Sequence, residues 1–167
     1  WRAAMAGVAP SALVFRDETS TPITLTPLRA RAPRGQRAVG RAPRGKRPHI
    51  AWLAPLTPAG LGESRVVAGT VDGRGFAFFR ERVLAPSLRP GQVVVWDPLT
   101  VPKSARALIE AAGCQVVCLP SSSPDVTPIA QAFAKAKQAL RRRGARSWET
   151  GSAAVAALVP TVTAPDR

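Results

Sequence analysis

The run Gly91 to Asp97, GQVVVWD, constrains the fold more than any other segment of the chain. Three consecutive valines followed by Trp96 leave no polar face, so a strand built from them has to be covered on both sides. Such strands belong to the interior of α/β sheets with helices packed above and below. The downstream sequence supplies them. From about Pro102, Ala105, Leu108, Ile109 and Ala112 recur at helical spacing, and Gly113 provides the stop. Gln115 to Leu119 reads as the next strand. After the loop PSSSPDVTP, Thr127 is the expected N-cap and Pro128 the first residue of a helix burying Ile129, Ala132, Phe133, Ala136 and Leu140. The segment from Trp148 adds a last helix. Upstream, SALVFRD at 11–17 reads as a buried strand ending in acid, and His49–Leu56 and Ser64–Gly69 as two more, joined by TPAGLGE. Asp72 caps a helix whose Phe76, Phe79, Val83 and Leu84 share one face, and Pro86 and Pro90 end it. A meander of strands followed by strand–helix alternation implies one α/β domain over residues 1–167, a mixed sheet flanked by helices.

Lys and Arg number 24 against 10 Asp and Glu, a formal net charge of +14. That excess favours a polyanionic partner, although a ribosomal protein would show the same total. Its distribution says more. No acid lies between Thr19 and Gly62, a stretch holding Arg29, Arg31, Arg34, Arg37, Arg41, Arg44, Lys46 and Arg47. The pentapeptide RAPRG occurs there twice, at 31–35 and 41–45, which is too few copies for a solenoid and reads as a charged loop or hairpin. A second acid-free block holds Lys135, Lys137, Arg141, Arg142, Arg143 and Arg146, and is expected to face largely outward. No apolar stretch approaches the roughly 18–20 residues of a membrane span. No apolar segment of signal-peptide type follows Trp1 and Arg2. Opening on Trp1 rather than Met reads as a chain lacking its N-terminal portion.

Cys114 and Cys118 would lie about 13 Å apart on one face of a strand, too far for a disulfide. With His49 the sole histidine, a zinc site is not indicated, and buried thiols in a reducing compartment are expected. Two glycines in Thr70–Gly75 lack phosphate-loop spacing. Trp52 and Trp96 read as core and His49 as a strand or surface residue. The chemistry-bearing feature is a pair of acids, Asp17 and Asp97, each at the C-terminal end of a buried strand, where α/β sheets place their ligands. Two such carboxylates can hold a divalent metal for phosphodiester chemistry.

VFRDET at 14–19, RAPRG at 31–35, VLAPSLRPGQVVVWDPLTVPK at 83–103 and LPSSSPDVTPIAQAFAKAKQALRR at 119–142 together resemble the catalytic domain of mariner-like insertion-sequence transposases, which are DDE-superfamily endonucleases. The resemblance runs through nearly the whole chain in the right order, and its last block is the most specific. It implies an RNase H-like fold and metal-dependent nicking and strand transfer of DNA. It further implies Mg²⁺ or Mn²⁺ as cofactor, and double-stranded DNA, both transposon ends and target, as partner. A homodimer is compatible with it, and no membrane is implied. A bacterial, cytoplasmic and nucleoid-associated protein is expected, and the family's N-terminal helix-turn-helix region is absent from the sequence. Asp17 matches the first catalytic and metal-binding acid and Asp97 the second.

Where the family has S-P-x-x-N-P-I-E, the chain has Thr127 for the Asn and Ala130 for the Glu that serves as third acid. Pro98, Val101 and Pro102 stand where the family tends to have Asn, Ser and His, and only Lys103 is kept. Alanine cannot bind metal, so the resemblance implies a catalytically dead copy unless Asp125 substitutes. A basic nucleic-acid-binding module that merely keeps the fold is the alternative. The residues expected to touch DNA are Arg31, Arg34, Arg41, Arg44, Lys46, Arg47, Lys103, Lys135, Arg141 and Arg142.

Overall fold

A computed structural model describes residues 2–41, 49–97, 101–120 and 127–163. After a short helix α1 (Arg2–Met5) and a 3₁₀ turn at Pro10–Ala12, six strands follow: β1 (Leu13–Pro22), β2 (His49–Thr57), β3 (Gly60–Leu61), β4 (Arg65–Ala68), β5 (Val93–Trp96) and β6 (Gln115–Cys118). They form one mixed sheet in the order β3-β2-β1-β5-β6, with β4 also paired to β2. β1 and β2 are antiparallel, whereas β1–β5 and β5–β6 are parallel.

Valines 93–95 and Trp96 are all buried, as their lack of a polar face requires. On one side of the sheet, Ile50, Trp52, Ala54 and Leu56 of β2 pack against helices α5 (Pro128–Arg143) and α6 (Trp148–Leu158). On the other, Val14, Leu53, Val94 and Trp96 meet α2 (Gly73–Phe79), a π-helical segment Arg80–Leu84, and α4 (Lys103–Ala111). A single-turn helix α3 (Ala85–Ser87) completes the middle helical run. The mixed sheet flanked by helices is the architecture expected.

The buried residues of α5 are Ile129, Ala132, Phe133, Ala136 and Leu140, the face read from the periodicity. Asp72 caps α2 by accepting from the Gly75 amide at 2.7 Å. Gly113, at φ 74°, stops the helical segment after α4.

Three elements differ from expectation. β1 runs five residues beyond Asp17, because Glu18–Pro22 stay paired with His49–Leu53. Pro86 does not end the middle helix: the π turn, closed by the Ala85 amide on the Arg80 carbonyl, carries the chain through to Ser87. The turn TPAGLGE contains the two residues of β3. Both cysteines are free thiols, Cys114 buried and Cys118 only half-buried.

Candidate functional site

β1 and β5 pair in parallel through Leu13–Val93, Val14–Val94 and Phe15–Val95. Extending that register by two residues sets Asp17 beside Asp97, just past the last paired rung. Asp17 is therefore not at the end of its strand, as the sequence suggested, but at the end of the strand's parallel partnership. Strand alternation sends Asp17 to the same side as Phe15, which packs in the α5–α6 half of the core.

Burial raises the Asp17 pKa above the ordinary carboxylate value, and the charge of Asp97 pushes the same way. The Glu18 amide, donating to Asp17 Oδ1 at 2.7 Å, opposes it, as do Arg16 and Lys137. Lys137 of α5 thus stands within electrostatic reach of Asp17. Its own pKa is lowered by burial and by Arg141, with Asp17 pulling the other way.

Ala130 lies exposed in the first turn of α5, two helical turns before Lys137 on the same stripe. Asp125, the suggested substitute acid, falls outside the described residues. Two adjacent carboxylates fit one Mg²⁺ or Mn²⁺ completed by water, since both ions accept oxygen donors. They do not fit the family's two-metal arrangement. Among the described residues no group of three or more His, Cys, Asp or Glu could hold a metal.

The basic residues divide. Arg31, Arg34 and Arg41 are exposed on the irregular segment between β1 and β2, and Lys103 is exposed at the start of α4. Lys135 and Arg142, both exposed, flank an open cleft of about 280 Å³ with Arg143 and Thr161, and Arg141 is half-buried. Arg44, Lys46 and Arg47 fall outside the described residues. The second basic block faces largely outward, as expected: Lys135, Arg142, Arg143 and Arg146 are exposed, and Lys137 and Arg141 half-buried. Arg143 Nη1 donates to the Ala154 carbonyl at 3.0 Å, tying α5 to α6, and Arg146 Nη1, in the turn between those helices, donates to the Leu25 carbonyl of the loop after β1 at 2.9 Å.

Two arginines escaped sequence reasoning. Arg16 points to the opposite side of the sheet from Asp17, where its guanidinium lies 4.1 Å from the Phe76 ring centroid and 4.5 Å from that of Trp96. Burial lowers its pKa to about 10, with Arg80 adding to the shift and Asp17 and Glu18 opposing it. Arg80 opens the π segment and donates to Ser104 Oγ at 3.0 Å.

A family profile described as DDE superfamily endonuclease matches residues 12–151. No curated protein matches in sequence. Among solved structures, the chain is similar to the Mos1 transposase paired-end complex with left transposon end (16% identity, TM-score 0.72, 98% of this chain and 52% of that one). The Mos1 mariner paired end complex with Mn gives 17% identity and TM-score 0.71, covering 97% and 52%. The Mos1 transposase catalytic domain with Raltegravir and Mg gives 16% identity and TM-score 0.60, covering 95% and 75%. The chain spans about half the length of the transposase chains in the paired-end complexes. These similarities match the RNase H-like fold expected from the sequence.

Proposed function

From the premise that this chain belongs to the DDE superfamily of endonucleases and has the fold of a transposase catalytic domain, we propose that it binds double-stranded DNA but has lost DNA cleavage. One observation carries the reading: Asp17 and Asp97 come side by side at the end of β5, while the position that should complete them is an exposed Ala130. The related Mos1 structures include complexes with transposon-end DNA and with Mg or Mn.

In this chain Asp17 and Asp97 would hold a single divalent ion. A bound ion would supply charge stabilisation at a phosphodiester and an activated water. Cleavage by two ions needs a further carboxylate, so the rate should fall by orders of magnitude. Lys137 offsets part of the effect that the charge of Asp97 has on Asp17. The exposed cations Arg31, Arg34, Arg41, Lys103, Lys135 and Arg142, with Arg141 beside them, form the DNA-contacting set together with Arg44, Lys46 and Arg47. Transposon ends and target DNA would be held in the same way, through phosphates. A homodimer and a nucleoid location are consistent with that role.

The test is Mn²⁺-dependent nicking of supercoiled plasmid by the native chain, Asp97→Ala and Ala130→Glu, with Mn²⁺ binding followed calorimetrically in each. We expect no nicking by the native chain and recovery in Ala130→Glu, with tighter Mn²⁺ binding. Nicking by the native chain that Asp97→Ala abolishes would overturn the reading and point to Asp125. DNA binding without Mn²⁺ binding in any variant would favour a non-enzymatic module that has only kept the fold.

A further inference from the structure

Beside the first acid, a cavity of about 440 Å³ is walled by Arg16, Asp17, Glu18, Asp72, Phe76, Arg80 and Pro102, among others. Arg16 and Arg80 are only 4% and 8% exposed, yet neither makes an ion pair within 4.0 Å among the described residues. Arg16 Nε and Nη2 are buried without a hydrogen-bond partner, and so is Arg80 Nε. Buried donors are ordinarily satisfied, so three orphans around one cavity require an explanation.

Their arrangement supplies one. Nε and Nη2 form the side-on edge of a guanidinium, the edge whose parallel N–H groups match two oxygens of an oxyanion. Phe76 and Trp96 stack against Arg16 and hold the guanidinium in place. Arg80 is fixed by Ser104, which leaves its Nε as the free donor. It stands at the first residue of the π segment, and such insertions often occur at functional sites. Pro102 is the N-cap of α4, whose N-terminus has no side-chain cap and is a favourable end for negative charge. Of the wall's three acids, Asp72 already caps α2, Glu18 is exposed to water, and Asp17 Oδ1 accepts from the Glu18 amide.

We propose that this cavity is a phosphate-binding site, in which Arg16 grips two oxygens of a phosphate group side-on and Arg80 Nε takes a third. Two cations and three donors suit a phosphate better than a carboxylate, which offers only two oxygens. Asp17 lies in its wall, but all three of the free donors come from Arg16 and Arg80. The phosphate is either free, as inorganic phosphate or a nucleotide, or part of a nucleic-acid strand.

The test follows the arginine Nε–H resonances of the ¹⁵N-labelled full chain, titrated separately with inorganic phosphate, acetate and an unphosphorylated hexathymidylate. Saturable shifts of the Arg16 and Arg80 signals with inorganic phosphate, and much weaker ones with acetate, are the expected result. Shifts with the oligonucleotide alone would assign the phosphate to a strand. No saturable shift with either phosphate source, or equal binding of acetate, overturns the proposal. Arg80→Met should weaken phosphate at least about tenfold, the loss expected for one charge-assisted hydrogen bond. Arg80→Lys should retain part of the binding, and it keeps the test informative if the methionine variant folds poorly. Glu18→Gln removes a carboxylate from the rim and should tighten phosphate; weaker binding in that variant would also count against the site.

Discussion

Asp17 is held in a position that disfavours its own charge. Its folded-state pKa is raised, so the folded chain binds the acid's proton more tightly than the unfolded chain does. The associated stability is fully present below the unfolded carboxylate pKa and is lost as pH rises through the higher folded value. Asp17→Asn should therefore raise the melting temperature at pH 7 in metal-free buffer, with the gain disappearing as pH falls below the usual carboxylate range. A gain that persisted at low pH would mean that the ionised carboxylate is not the cause. Lys137→Met removes a cation that favours the ionised Asp17, and should push the Asp17 pKa up further in an NMR titration. That Asp17 and Asp97 each follow an apolar run was legible in the sequence, but not that β1 continues past Asp17 to Pro22. Arg16 was not, since strand alternation gives the side of the sheet but not the aromatic rings of distant residues that wait there. Phe76 is brought beside Arg16 only by the packing of α2 onto the sheet.

At the scale of elements, what could be read was whatever repeats locally. The buried stripe of α5 follows from its spacing alone, and Phe133, whose ring lies 5.1 Å from that of Trp52, is its central contact with β2. Phe133→Ala should cost about 3–5 kcal/mol in denaturant unfolding. The second half of β1 was missed for the opposite reason. Thr19 and Thr21 are buried polar residues in a Pro- and Thr-rich stretch, and they are extended because β2 pairs with them, not because of their own pattern. The π segment was equally invisible, for Pro86 reads as a helix stop unless the turn before it widens. Helix α6 starts with a capping box in which Ser147 and Thr150 satisfy each other's amides, so Ser147→Ala should lower stability by about 1 kcal/mol. At β3, Gly60 adopts φ 122°, and a Cβ there would run into the Val162 carbonyl that accepts from the Leu61 amide. Gly60→Ala should cost about 1–3 kcal/mol, readable as a drop in melting temperature.

For the whole molecule, the sheet divides the core into two halves, one under α5 and α6 and the other under α2 and α4. The +14 charge places an electrostatic expectation on any DNA complex. Affinity should fall linearly on a log–log plot against salt, by about 0.9 log units per decade of salt for each phosphate neutralised. Replacing Arg31, Arg34 and Arg41 by Ala should flatten that slope by up to three such steps. An unchanged slope would remove the segment after β1 from the interface. Composition revealed the charge but not its division of labour, since Arg143 ties α5 to α6 and Arg146 holds the loop after β1.

The exposure of position 130 has a wider consequence. Alanine there is a good helix former on a solvent-facing turn, and a glutamate would sit equally well near the positive end of the helix. Neither choice touches the core. Chaperones and proteases recognise proteins through their unfolding, so they have no means of telling the two forms apart. A chain without cleavage should therefore persist in the cell as long as one that has it.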